Sequence, residues 1–325
     1  MSGYSKPWMS IAEQIEQLES RQMAIPDPDR AERYLASVGY YNLSGYWYPM
    51  RLDADVPSGS HVFKLEQFQP GVTFDHVVEL FRYDQRIRAL LTEALARIEQ
   101  ALKVDLAYHL GEVDTFAHLY SRHFRSEFVS PRPYFNRHGH SRTNKSHSEW
   151  VVDHYQKLDR PHDFVKRYKA KYGNKFPIWI AIEAMDFGDA LYLIEGLHQR
   201  WRAPMAARFR VPDDARFVSW LRTLRTLRNL CAHSGRVWNH ALSATPSPVS
   251  TAKIPAFASL NEAKKMWEKP YATYMIVAYL TKQVTPHSQW NKRFAAAFDS
   301  LPIAPGIDIV ATGAPTGWQT DPMWS

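Results

Sequence analysis

Leu80-Phe81-Arg82-Tyr83-Asp84-Gln85-Arg86-Ile87-Arg88-Ala89-Leu90-Leu91-Thr92-Glu93-Ala94-Leu95-Ala96-Arg97-Ile98-Glu99-Gln100-Ala101-Leu102-Lys103-Val104-Asp105-Leu106 decides the fold of this 325-residue chain. Leu80, Ile87, Leu91, Ala94, Ile98, Leu102 and Leu106 recur at helical spacing, and no Pro or Gly falls between Thr73 and Gly111. One long helix is expected over 74–110, opened by Thr73. Asp84, Arg88, Thr92, Glu99 and Lys103 read as its opposite, polar side. Glu99 and Lys103 stand at i,i+4, where a surface ion pair contributes about 0.3 kcal/mol.

Working outward, the rest of the chain also reads as helices, so the expected fold class is all-α. Ser10 and Glu13 form a capping box ahead of Ile11, Ile15 and Leu18. Asp29 is the expected cap of a second short helix that carries Leu35 and Val38 and stops at Gly39. The aromatic run Tyr40-Tyr41-Asn42-Leu43-Ser44-Gly45-Tyr46-Trp47-Tyr48-Pro49 reads as a packed corner, and 52–61 as a surface loop.

Beyond the long helix, residues 122–149 hold Arg122, Arg125, Arg132, Arg137, Arg142 and Lys145 with four His and the aromatics Tyr134 and Phe135. No apolar stripe is evident, so a long basic loop or insertion is expected, able to follow an RNA backbone and stack on bases. His138-Gly139-His140 lacks a carboxylate or thiol at ligand spacing, so no metal is expected there. Phe176-Pro177-Ile178-Trp179 starts a further helix, continued by Ile182, Met185 and Leu191, with Gly188 allowing a break. A helix over 215–234, a Ser/Thr/Pro-rich linker at 243–254, a helix around 258–283 and an extended tail at 302–325 complete the reading. Three regions result: an N-terminal helical and aromatic region 1–69, a helical core 70–242 with its insertion at 122–149, and 243–325 with linker, helix and tail.

Composition fits a globular chain, 45% hydrophobic and 14% aromatic. No apolar run approaches the ~20 residues that span a bilayer, and no signal-peptide pattern opens the chain. A single cysteine, Cys231, excludes an intrachain disulfide framework and a multi-cysteine zinc site. A reducing, cytoplasmic setting and no cofactor are expected. The formal charge of +7 favours an anionic partner such as RNA or DNA.

Chemistry concentrates at Arg228-Asn229-Leu230-Cys231-Ala232-His233, where a guanidinium and an imidazole lie five residues apart near a helix end. An arginine can hold phosphate charge while a histidine moves protons near neutral pH. Arg142 and His147 repeat the spacing without a helical scaffold. Around 215–234, Trp220, Leu224, Leu227 and Cys231 form the core face, and Arg222, Thr226, Asn229 and His233 a polar stripe opposite. Cys231 stands about 160° from His233 on the wheel, which speaks against a Cys–His dyad. Arg228 lies nearer the apolar edge and needs a carboxylate, for which Glu99 is the candidate. A purely structural alternative has Arg228 making only that ion pair and His233 only capping the helix.

Several ordered blocks together resemble the Abi-like abortive-infection proteins of the AbiD/AbiF type, a branch of the HEPN superfamily. They are Lys6-Pro7-Trp8, Tyr40-Tyr41-Asn42-Leu43-Ser44-Gly45-Tyr46, Phe81-Arg82-Tyr83-Asp84-Gln85-Arg86-Ile87-Arg88 with Ile98-Glu99, Pro177-Ile178-Trp179 with Glu183 and Phe187-Gly188, and Leu227 to His233 followed by Arg236-Val237-Trp238-Asn239. The resemblance implies an all-α HEPN bundle and a metal-independent endoribonuclease active in phage defence or as a toxin. Its Arg-x4-6-His motif falls on Arg228, Asn229 and His233, and its Glu-x3-Lys element on Glu99 and Lys103. One motif per chain implies a homodimer with a composite cleft, under an inhibitory small RNA or protein antitoxin. The expected RNA contacts are Arg222, Arg225 and Arg236, with Arg137, Arg142 and Lys145 of the insertion. The rival expectations are a non-catalytic RNA-binding or interaction protein, and the HEPN partner of a nucleotidyltransferase in a toxin–antitoxin pair.

Overall fold

In a computed structural model the chain is all-α; the structure describes residues 7–54, 63–135, 141–159, 163–260 and 264–325. Its axis is the helix Phe74–Val113, forty residues long. Thr73 Oγ1 accepts the His76 N–H at 3.3 Å while His76 Nδ1 accepts the Thr73 N–H at 3.2 Å, closing a capping box at its start. The helices Asp214–Ala232, Pro270–Val284 and Trp290–Asp299 lie against this long helix. Pro270–Val284 is buried without a break from Pro270 to Thr281 and carries no charge in that span, as a helix enclosed on every side must.

The N-terminal helices Ile11–Ser20, Pro28–Val38 and Tyr40–Trp47 pack beside the start of the long helix, with an antiparallel pair, Arg51–Asp53 and Lys64–Phe68, at their edge. The Ser10–Glu13 capping box is present. The second helix is capped by Asp27 rather than Asp29: Asp27 Oδ1 accepts the Arg30 N–H at 2.9 Å, and Pro28 supplies the preset first turn. The aromatic corner is itself a helix that buries Leu43, Tyr46 and Trp47.

Three expected loops are packed structure. The basic insertion holds the short helix Ser126–Val129, a hairpin pairing Tyr134–Phe135 with Ser141–Arg142, and the helix His147–Leu158. That last helix has a buried stripe of His147, Trp150, His154 and Leu158, invisible to hydropathy because two of its four positions are imidazoles. Segment 243–254 is no free linker: Trp220 Nε1 donates to Ser247 O at 2.9 Å, Arg216 Nε donates to Pro248 O at 2.8 Å, and Val249 and Ile254 are buried. The Pro/Gly-rich tail is folded rather than extended, in short 3-10 turns that bury Trp318, Met323 and Trp324 against Tyr271, Phe294 and Phe298.

Two helix boundaries also shift. The helix begun at Ile178 ends by Ala184 and a new one, Phe187–Gly196, starts after a break, because Asp186 caps it. The expected helix around 258–283 is divided: the 3-10 stretch Pro255–Leu260 and the short helix Lys264–Trp267 precede Pro270–Val284, and Trp290–Asp299 is a further helix beyond those the sequence predicts. The loop expected at 52–61 falls largely outside the described residues.

Candidate functional site

Asp213 opens the helix Asp214–Ala232, accepting the Arg216 N–H at 2.8 Å. Trp220, Leu224, Leu227 and Cys231 are buried, and Arg222, Asn229 and His233 are exposed, as their spacing requires. His233 is the C-terminal cap. Past it, Ser234 takes a left-handed conformation with φ 56°; its N–H reaches Cys231 O at 3.2 Å, and the Gly235 N–H reaches Leu230 O at 2.8 Å. This pair of reversed bonds is a Schellman ending with serine where glycine is usual. Gly235 is confined too, since a Cβ there would strike the Leu230 side chain.

The turn after His233 is held by a carboxylate from the long helix. Asp84, fully buried, accepts the Val237 and Trp238 N–H groups on Oδ1 at 2.8 and 2.7 Å, and the Tyr46 hydroxyl and Arg88 Nη1 on Oδ2 at 3.0 and 3.1 Å. Arg88 Nη1 also donates to Ser234 O at 3.2 Å and Gly235 O at 2.9 Å. Tyr274 closes the arrangement from the central helix, its hydroxyl donating to Val237 O at 2.6 Å. Burial pushes the Asp84 carboxyl above the usual carboxylate range, against the pull of its two backbone N–H groups, Tyr46 and Arg88. Asp84 and Arg88 therefore do not line a solvent face. Position 84 shares the stripe of Leu80, Ile87 and Leu91, and a lone acid on an apolar stripe is the signal that identifies it. Three sequence blocks, around 45, 84 and 236, meet at this clamp.

Glu99 Oε2 lies 3.6 Å from Arg228 Nε, joining the long helix to the motif helix. Burial raises the Glu99 carboxyl, opposed by Arg228 and then Lys103. Lys103 is only 7% exposed, so it is a buried charge near Glu99 and neither a surface ion-pair partner nor an open phosphate contact. Arg228 and Asn229 form a ridge between two grooves. One, of about 430 Å³, is lined by Glu99, Gln100, Arg228, Cys231 and Ala232; the other, of about 460 Å³, by Arg222, Arg225, Thr226 and Asn229. Burial pushes the Cys231 thiol up to about 12, which removes it as a nucleophile near neutral pH.

The expected RNA contacts fare unequally. Arg222 is exposed and paired with Glu195 at 2.5 Å, and Arg225 is exposed without a partner among the described residues. Arg236 is half-buried and turned inward, donating to the Gly45 carbonyl. Lys145 pairs with Asp153. Arg137 and the Arg142 side chain lie outside the described residues. His147 is buried, with Nε2 donating to His118 O at 2.8 Å, so the second Arg–His spacing has no open imidazole. Among the described residues no group of three or more His, Cys, Asp or Glu is placed to hold a metal, and no helix is long and apolar enough to cross a membrane.

The arrangement thus offers a guanidinium anchored by a carboxylate, with an exposed amide and an exposed imidazole at the same helix end. It can hold an anionic phosphorus centre and exchange a proton beside it. Compared with known proteins, residues 33–239 match the family model described as Abi-like protein. No curated protein and no solved structure matches the chain.

Proposed function

The chain belongs to the Abi-like protein family, and from that membership we propose that it is a metal-independent endoribonuclease of the HEPN type. The family name points to abortive infection, the defence in which an infected cell is shut down before phage matures. The carrying observation is the Glu99–Arg228 contact beside exposed Asn229 and His233 at the end of one helix.

In this reading Arg228 takes the non-bridging phosphate oxygens, with Glu99 fixing its guanidinium. His233 removes the proton of a ribose 2′-OH, the 2′-oxygen attacks the adjacent phosphorus, and the 5′-oxygen leaves with a proton. The products are a 2′,3′-cyclic phosphate and a 5′-OH. Dependence on the 2′-OH selects RNA over DNA. Asn229 orients phosphate or imidazole. Asp84 and Arg88 act through the turn they hold, as positioning residues.

One exposed imidazole serves as base or as acid, so a second copy supplies the other in a homodimer. An exposed, mainly apolar strip supports that assembly: Ala96 lines the Arg228 groove beside the polar Gln100, and Val104 and Tyr108 continue along the long helix to Trp179, which lies against Gly111. The test is cleavage of a labelled RNA pool in excess EDTA beside Arg228→Ala and His233→Ala, with product ends read for cyclic phosphate. Wild-type cleavage lost in both variants is expected. Cleavage that needs an added metal, or that survives His233→Ala, would overturn the mechanism.

A further inference from the structure

A cleft of about 670 Å³ lies between the insertion, the helix Phe187–Gly196 and the motif helix. Its acids are mostly matched already. Lys157 Nζ reaches Asp186 at 3.0 Å and Asp189 at 2.5 Å, and Glu195 takes Arg222; among the lining carboxylates described, only Glu127, at the exposed rim, has no ion pair. The nearby helix N-terminus is no open anion site, because Asp186 accepts the Asp189 N–H there at 2.9 Å.

Most of its donors are matched as well: Arg125 donates through Nη2 to Glu195 O at 2.6 Å, Arg222 pairs with Glu195 and Lys145 with Asp153. The exception is Arg225, exposed on the motif helix and without a partner among the described residues. An exposed guanidinium with no counter-charge in an otherwise matched cleft fits an anionic group such as a phosphate. One wall is aromatic, with Phe128 and Tyr192 centred 4.3 Å apart. The cleft also runs on toward the motif: Glu195, Arg222 and Arg225 line the adjoining groove that ends at Asn229. Arg225 and Asn229 are one helical turn apart, about 6 Å along the axis.

We propose that this cleft holds a nucleotide of single-stranded RNA next to the bond cut at Arg228 and His233, its phosphate on Arg225 and its base against Phe128 and Tyr192. The assignment rests on the nuclease reading for its place along the substrate, but binding tests it independently of cleavage. The insertion is then the substrate's second wall, and stacking there is tolerant of base identity.

The experiment uses the full-length chain carrying His233→Ala, so that the probe survives, and a fluorescent single-stranded RNA 12-mer in EDTA. Adding Arg225→Ala is expected to weaken binding about tenfold or more, and Arg225→Lys to restore part of it. 4-Thiouridine in the RNA is expected to cross-link within residues 125–150 or 187–196. Affinity within twofold of the parent, or cross-links confined elsewhere, would overturn the proposal. Arg225-dependent binding of uridine 5′-monophosphate without binding of the 12-mer would also overturn it, in favour of a free-nucleotide site. Arg225-dependent RNA binding in a protein whose wild type never cuts would sink the nuclease and keep the cleft; cutting with unchanged affinity in Arg225→Ala would do the reverse.

Discussion

Asp84 Oδ1 accepts the main-chain N–H of Trp238 at 2.7 Å, from a carboxylate with no solvent exposure. The motif histidine stands five residues before that N–H, so the placement of His233 is set from the long helix as much as from its own.

Asp84→Ala removes the acceptor of two backbone N–H groups and the counter-charge of Arg88. A broken buried pair costs about 3–5 kcal/mol. Urea unfolding is expected to show a loss of that order, with Asp84→Asn in between. A change under 1 kcal/mol would show that the turn holds itself.

Glu99→Gln separates anchoring from folding. The Glu99–Arg228 pair is partly exposed, with side-chain exposures of 18% and 39%, so its loss costs less than about 1 kcal/mol. RNA cleavage is expected to fall at least about tenfold as Arg228 loses its counter-charge. Equal cleavage in the two proteins would remove Glu99 from the mechanism.

Ser234 pays the left-handed conformation without glycine's freedom. Ser234→Gly is expected to raise stability by about 1 kcal/mol, and Ser234→Val, branched at Cβ, to lower it by at least as much. Thermal melts of the two variants check both signs.

Acid is expected to open the insertion. Burial holds His154 down to about 4, with Asp189 raising and Lys157 lowering it, and holds His118 down to about 3. Both fall below the ordinary value of 6.5, so the unfolded chain binds more protons as pH falls from 6.5. Stability is complete above 6.5 and is lost toward 4, by about 3 kcal/mol for His154 alone. His154 stacks on Trp150 at 5.0 Å, so His154→Phe keeps the ring contact and should flatten that slope in melts across pH 4–7. An unchanged slope would acquit His154.

The long helix and the motif stripe were legible because their apolar positions follow one period over many turns. Asp84 was misplaced because pattern reading sends charge outward, whereas here backbone N–H groups from a turn 153 residues away receive it. His147 and His154 hid a helix for the same reason, as imidazoles filling apolar positions. The tail around Trp318 and Trp324 gave no signal at all, since 3-10 turns between Pro and Gly carry no period. Ser234 stayed hidden beside Gly235, the residue to which the sequence would assign a left-handed turn.

Made from the N-terminus, this chain presents Arg228 and His233 before it presents what positions them. The Asp84 carboxylate waits for Val237 and Trp238, and Val237 in turn waits for the hydroxyl of Tyr274. A nascent chain that has just released the motif from the ribosome therefore lacks the hydroxyl that closes this turn until Tyr274 has also emerged. Synthesis thus completes the setting of the motif only after a further helix, Pro270–Val284, has been made.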